Sequence, residues 1–222
     1  MLLCALLLFG QQRLLHNKND LLPVIQKTLG VSKVKVRESI MAKKKKDTME
    51  FRFYELPQGE SALVLCGESW VRVYGHEELH LHFHNLMEIG ICRQGVGDMY
   101  FDEEVYKYHS GDITIIPENF PHVTVSDGET TNFWEYIFID LRSMIETMFP
   151  GNVAFQNDAV SSLSKRAYMT NERDNHIIAE CINGIIRETN EHKTYSQRAI
   201  ALKVQEIVIE LLRHDASLPE EK

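Results

Sequence analysis

The chain has 222 residues, of which 44% are hydrophobic and 25% are charged, values that are ordinary for one globular domain with appendages. Residues 1–48 hold ten Lys or Arg and three Asp or Glu, a net charge of +7, so residues 49–222 carry −15 of the total −8. Such an acidic body excludes nucleic-acid binding through a broad basic face, because phosphate contacts need Lys and Arg.

The N-terminal leader, residues 1–48, differs from the rest of the chain. Its apolar run Leu2–Phe9 is too short to span a membrane and lacks the flanks of a signal peptide, so we expect no membrane partner. One interpretation is a mis-assigned start, with translation beginning at Met49 after the basic run Lys43–Lys46. The other is that Ile25–Glu38 resembles a helix-turn-helix core, with its turn at Gly30.

Four scattered cysteines, Cys4, Cys66, Cys92 and Cys181, form no C-x2-C pair. The sequence therefore indicates neither a disulfide framework nor a zinc ribbon. A reducing cytoplasm is the expected location.

Short strands dominate the stretch 49–141, because runs rich in β-branched and aromatic residues alternate with Gly, Pro, Asn and acidic turns. The predicted strands are Phe51–Leu56, Ala62–Cys66, Trp70–Tyr74, Leu79–His84, Glu88–Arg93, Gly97–Phe101, Val105–His109, Asp112–Ile116, His122–Val125 and Phe133–Asp140. Strands of this number and spacing predict a mainly β fold, a jelly-roll barrel whose interior can hold one small ligand.

The segment 142–214 is predicted to be helical. A short helix is expected over Leu141–Phe149, and apolar residues recur every three or four positions in Asp174–Glu191 and Ser196–His214. The last two helices would form a hairpin that covers the barrel. Residues 215–222 are polar and are expected to fray.

Three histidines and one glutamate are the strongest candidates for a site. They lie in two blocks, H-x-H-x3-E-x6-G from His82 to Gly95 and G-x5-P-x-N-x2-H from Gly111 to His122. His82 and His84 share one face of a strand, since alternate residues point the same way. With Glu88 and His122 they predict a site for a divalent metal such as zinc, iron, manganese or nickel. The alternative is that these side chains line a metal-free pocket and bind a ligand.

Further ligand contacts are predicted on neighbouring strands. His80 has the same strand parity as His82 and His84, and Arg72, Arg93 and Trp134 offer the charged and aromatic groups that sugar pockets use. For Trp134, core packing is the competing interpretation.

The two blocks resemble the two signature motifs of the cupin superfamily, with Asn119 in place of one glycine. The wider stretch 49–214 resembles the N-terminal sensor domain of AraC-type transcriptional regulators. This resemblance implies a ligand-binding barrel and a homodimer formed through the C-terminal helices. We expect no counterpart of the family's C-terminal DNA-binding domain within residues 1–222, so DNA contact is expected only through such a domain or through the N-terminal motif.

Two functions follow as expectations. The first is a non-enzymatic domain that senses a small molecule such as a sugar. It relays the binding of that molecule to a DNA-binding unit through the N-terminal strand and the helical hairpin, and it requires no cofactor. The second is a metal-dependent cupin enzyme, such as a dioxygenase, isomerase or epimerase, with a Lewis-acidic ion on the His and Glu residues. We favour the sensor.

Overall fold

The computed structural model describes residues 49–75 and 80–215. The leader, including its helix-turn-helix interpretation, and the tail 216–222 lie outside the described residues. Within the described part of the chain, no helix is both long and apolar enough to cross a membrane.

Eleven strands and four α-helices make up the described residues. The strands are β1 (Met49–Arg52), β2 (Leu63–Leu65), β3 (Val71–Arg72), β4 (Leu81–His84), β5 (Met87–Gln94), β6 (Val96–Phe101), β7 (Glu104–His109), β8 (Asp112–Ile116), β9 (His122–Ser126), β10 (Asn132–Ile139) and β11 (Tyr168–Asn171). The helices are α1 (Leu141–Met148), α2 (Val153–Leu163), α3 (His176–Glu191) and α4 (Ser196–Arg213), and a 3₁₀ turn covers Glu68–Trp70. The expected mainly β, cupin-like fold with a C-terminal helical hairpin is confirmed.

The strands form two sheets. The first has the order β1-β4-β9-β6-β7, and the second has the order β11-β8-β5-β10-β2, with β3 also paired to β10. Side chains from both sheets pack together, since Met99 and Tyr108 of the first sheet share a core cluster with Trp134 of the second. We call this cluster the inner core.

The helices cover the other face of the second sheet. Ile89, Ile113 and Ile137 point away from the inner core and pack against helix residues such as Ile182 and Val204. Strand alternation explains this division, because neighbouring residues of a strand point to opposite faces. We call the aliphatic layer between sheet and helices the outer core.

Two elements were not predicted from the sequence. Both lie inside the segment 142–214, in which the sequence analysis placed three helices and nothing between the first of them and the hairpin: α2 is an additional helix, and β11 is a strand in a segment expected to be helical. Strand β11 extends the second sheet by pairing with β8, with Tyr168 opposite Ile115. A four-residue edge strand gives too short a pattern to be distinguished from a loop.

Candidate functional site

The four residues singled out by spacing meet in the interior. His82 and His122 are direct partners in the antiparallel pair of β4 and β9. His84 follows on the same face of β4, and Glu88 enters from the start of β5. Ring centroids lie 4.2 Å apart for His82 and His122 and 4.9 Å apart for His84 and His122.

Backbone carbonyls fix the tautomers of two histidines. Nδ1 of His84 lies 2.6 Å from the carbonyl oxygen of Leu86, and Nδ1 of His122 lies 2.9 Å from that of Phe120. A carbonyl oxygen only accepts, so each Nδ1 must donate the hydrogen. In the neutral ring, Nε2 is then left with a lone pair.

Both Nε2 atoms face the same carboxylate oxygen. Oε2 of Glu88 is 3.2 Å from Nε2 of His84 and 3.7 Å from Nε2 of His122. In the neutral tautomers neither Nε2 can donate to this oxygen, so both Nε2 atoms are buried without a hydrogen-bond partner among the described residues, as is Nδ1 of His82. Because His84 is 0% and His122 1% exposed, solvent does not satisfy these atoms. A metal ion bound between the rings, or a proton on a ring nitrogen, would give these nitrogen atoms a partner.

Burial and neighbouring charges set the ionisation of the group. Burial, followed by the proximity of His122, lowers the pKa of His82 to about 2, so this ring is neutral at physiological pH. Burial raises the pKa of Glu88, but hydrogen bonding from His122 and His84 and the positive charge of these rings, both of which require the protonated imidazole, outweigh it and hold the pKa below its ordinary value. The site thus offers a neutral imidazole and a carboxylate, the protonation states that metal ligands require.

The distances suit a divalent ion. His82, Glu88 and His122 each offer one ligand atom, and these atoms lie within 4.8 Å of one another. Four ligands at about 2.1 Å around a tetrahedral ion lie roughly 3.4 Å apart, close to the separations of Glu88 Oε2 from the two Nε2 atoms. The carbonyl bonds at Nδ1 are the outer contacts that orient metal-binding histidines. His82, Glu88 and His122 therefore fit such an ion, whereas His84, the fourth predicted ligand, is not part of this close group.

Asn119 ties the two sequence blocks together. It stands where the cupin pattern has a glycine and adopts a left-handed backbone with φ +59°, which Asn tolerates better than most residues. This turn directs the Asn119 amide to donate to the carbonyl oxygen of His84 at 2.7 Å. The loop that delivers His122 is thereby anchored to the strand that carries His84.

A cavity of about 290 Å³ opens onto this cluster. Five of the residues predicted from the sequence line it, namely Arg72, His80, His82, Glu88 and His122. His84 contacts Glu88 but lies behind the lining. The sequence analysis did not single out other lining residues, which include Glu50, Arg52, Tyr54, Trp70, Tyr74 and Tyr136.

Strand β1 supplies the charged part of that additional set. It pairs in parallel with β4, with Glu50 opposite His82 and Arg52 opposite His84. Tyr54 follows and is held by Asn85, which accepts from its amide at 2.8 Å and donates to its carbonyl at 2.9 Å. Pairing between segments 30 residues apart leaves no periodic signal in the sequence.

Two predicted ligand contacts lie elsewhere. Arg93 is on the opposite face of β5 from Glu88, and its Nε donates to Glu135 at 2.7 Å. Trp134 is 0% exposed and packs in the inner core between Tyr108 and Tyr136, at centroid distances of 5.0 and 6.1 Å. Neither side chain lines the cavity, and we leave both out of the proposed site.

Comparison with known families identifies the domain. The AraC-like ligand binding domain family matches residues 71–211, which is more than half of the chain. The chain belongs to this family. The match includes all four residues of the His and Glu cluster, whereas Glu50, Arg52 and Tyr54 of the cavity lie before its first residue.

This AraC-like ligand binding domain shows low similarity to several solved structures. The AraC-like transcriptional activator CuxR is 13% identical, with a TM-score of 0.42 and coverage of 62% of this chain and 45% of its own. ToxT from Vibrio cholerae strain SCE256 with a bound unsaturated fatty acid is 12% identical, with a TM-score of 0.44 and coverage of 72% and 57%.

A Cupin 2 conserved barrel domain protein from Salinispora arenicola CNS-205 is 18% identical, with a TM-score of 0.26 and coverage of 39% and 71%. The AraC-like domain thus spans about half the length of the two regulators named above. No curated protein matches the chain.

Proposed function

We propose that the chain is the sensing domain of an AraC-type transcription regulator and that its ligand binds in the 290 Å³ cavity. The observation that carries this proposal is the buried cluster at the cavity floor, where one nitrogen each of His82 and His122, which line the cavity, and of His84 behind them has no hydrogen-bond partner among the described residues. Polar groups buried without partners are costly, so a site that retains them is built for a ligand that supplies the partners. Hydroxyl groups, as in a sugar, would donate to these nitrogens without any metal.

Strand β1 connects the cavity to the protein surface. Glu50 and Arg52 of this strand line the cavity, while Phe51 between them is 51% exposed. A ligand that contacts these inward side chains better in one position of β1 than in another would shift that equilibrium; tight binding alone would not. We propose that the N-terminal strand and the helical hairpin carry this shift to a DNA-binding unit outside the described residues.

Helix α4 supports the proposal of a homodimer. Leu202 and Ile209, two turns apart on one side of α4, are 66% and 37% exposed. Seven residues place them on the same helical face, where a second copy would bury them. We expect L202E/I209E to shift the protein from dimer to monomer in sedimentation velocity, whereas Q197E, at an exposed residue of α4 that points away from this face, keeps the dimer. A wild-type monomer at 100 µM would refute the dimer.

A metal-dependent cupin enzyme is the second candidate, and the close approach of His82, Glu88 and His122 favours it. These residues, with His84, would hold the ion, which would supply a Lewis acid that polarises a ligand oxygen. The chain's own contribution is to orient the rings through the Leu86 and Phe120 carbonyls and to keep His82 neutral.

Two measurements on the untagged full chain separate the candidates. The first is elemental analysis of wild type and His84→Ala, and the second is a thermal-shift screen with neutral sugars and small metabolites. The sensor predicts that a compound raises the melting midpoint of wild type, less so in Glu88→Gln, and is recovered unchanged. Stoichiometric metal that is lost in His84→Ala, together with turnover of a stabilising compound, would establish the enzyme instead.

A further inference from the structure

We infer that the ligand of this cavity carries one carboxylate group and that the Arg72 guanidinium binds it. This inference rests on the proposed sensing function and names the chemical class of the ligand. It is carried by the charges that line the cavity, by the position of Arg72 between two aromatic rings, and by the size of the space.

Of the charged side chains that line the cavity, Arg72 is the cation without an ion-pair partner among the described residues. Its lining contains two arginines and two glutamates. Arg52 is already paired with Glu50 at 2.8 Å, and Glu88 is held among the buried imidazoles. Among the described residues, no carboxylate forms an ion pair with Arg72. Arg72 lines the cavity and is exposed, so its charge is available to an anionic group that enters from solvent. One positive charge matches a monoanion better than a doubly charged phosphate or a neutral sugar.

Arg72 is also held in place as a binding group. Its guanidinium lies 4.7 Å from the ring centroid of Trp70 and 4.9 Å from that of Tyr74. Both rings are fixed in turn, because the Tyr74 hydroxyl donates to the Trp70 carbonyl at 2.8 Å and Trp70 packs edge-on against Tyr136 at 5.2 Å.

Stacking occupies the faces of a guanidinium and leaves its N–H groups, which lie in the plane, free to donate. A planar carboxylate accepts two such bonds in parallel, so the geometry of the arginine selects this group.

The volume and the other lining residues of the cavity indicate the size and chemical character of the rest of the ligand. A volume of about 290 Å³ lies at the lower end for small-molecule sites, which points to a compact metabolite. Trp70, Tyr136 and Phe138 supply flat apolar walls, and the polar cluster at His82 offers partners for a hydroxyl. The expected ligand is a small monocarboxylic acid with an aromatic or short apolar body and a polar substituent.

Matched pairs of compounds test this inference on the full chain. Aromatic and short aliphatic monocarboxylates are each compared with their primary amides, which have the same shape without the charge, and phosphate monoesters and neutral sugars complete the panel. Thermal shift ranks the compounds, and calorimetry measures the dissociation constants for wild type, Arg72→Gln and Arg198→Gln. Arg198 is an exposed arginine of α4 and serves as the matched control.

We expect at least one acid to bind and its amide to bind tenfold or more weakly. Arg72→Gln should weaken the acid by roughly 10- to 100-fold, the usual range for a lost charge-assisted hydrogen bond, and should leave the amide unchanged. Arg198→Gln should bind like wild type, and equal melting midpoints without ligand show that all three proteins are folded.

The remaining outcomes separate this inference from the sensing function. Binding of neutral sugars or of acids and amides alike, unchanged in Arg72→Gln, would overturn the carboxylate and keep the sensor. Preference for phosphate monoesters would also overturn it. If no compound of the panel binds to the apo or the metal-loaded protein, both proposals fall.

Discussion

The inner and outer cores differ in chemistry although they share the second sheet. The outer core contains 24 buried residues, none of them aromatic among those described, and consists of Ile, Val, Leu, Met, Ala and Cys. The inner core has 11, of which six are aromatic, and it adjoins the His and Glu cluster. Branched aliphatic side chains fill space closely between helices and sheet, whereas large rings leave room beside them for a polar cavity.

This difference assigns separate roles to the two faces of one strand. On β10, Ile137 and Ile139 pack under the helices, while Tyr136 and Phe138 line the cavity. The outer face should therefore account for most of the stability, and the inner face for most of the ligand and pH response. Three predictions address this division, beginning with the largest effect.

Truncation in the outer core should cost the most stability. Ile182 of α3 is 1% exposed, and Ile182→Ala should lower the free energy of unfolding by about 2–5 kcal/mol, the cost of a buried cavity. Urea denaturation followed by circular dichroism measures the loss. The control Val153→Ala, at a residue of α2 that is 63% exposed, should change it by less than about 0.5 kcal/mol. A loss below 1 kcal/mol at Ile182 would contradict the assignment.

Acid should destabilise the protein through the inner face. The pKa of His82 is about 2 in the folded protein, against 6.5 for a free histidine, so between these values only the unfolded chain takes up the proton. The free energy of unfolding should therefore fall below pH 6.5, by at most about 1.4 kcal/mol per pH unit. Glu88, whose folded-state pKa is below its ordinary 4.5, adds a further loss below that pH.

Urea denaturation at pH 7, 6 and 5 measures this dependence. His82→Gln should flatten the slope, whereas His109→Gln, at a histidine whose side chain is 69% exposed, should keep it. Equal slopes for wild type and His82→Gln would show that another group governs acid unfolding.

Cysteine labelling should give the smallest effect and should not distinguish the two cores. Burial and then Asp112 raise the pKa of Cys92 to about 12 in the inner core. Burial and then Glu206 raise that of Cys181 to about 12 in the outer core. Among the three cysteines of the described residues, iodoacetamide at pH 8, mapped by mass spectrometry, should therefore label the partly exposed Cys66 first, because thiolates react and thiols do not. Faster labelling of either buried cysteine would reveal local opening of that core.

The convergence of His82, His84, Glu88 and His122 could be predicted because it depends on local rules. Strand alternation places the two β4 histidines together, and a short turn brings Glu88 back beside them. The same rule could have excluded Arg93 from the site, because this residue lies five positions from Glu88 on β5. An odd separation on one strand puts the two side chains on opposite faces, as the structure shows.

The rest of the site could not be read from local patterns. Trp134 has the strand parity of Tyr136, but only the latter reaches the cavity, because depth along a barrel depends on how both sheets pack. Glu50 and Arg52 line the cavity through a parallel pairing of β1 with β4, whose register is set by tertiary contacts rather than by a turn.

The bond from the Asn119 amide to the His84 carbonyl has a consequence for how this domain changes over evolutionary time. It joins main-chain atoms, so it depends on the backbone path and on a residue that tolerates positive φ, and not on the imidazoles it positions. Substituting His84 or His122 would remove the ring contacts to the Leu86 and Phe120 carbonyls but would leave this main-chain bond between loop and strand intact. The framework can exchange its binding groups for new ligands while its geometry is retained.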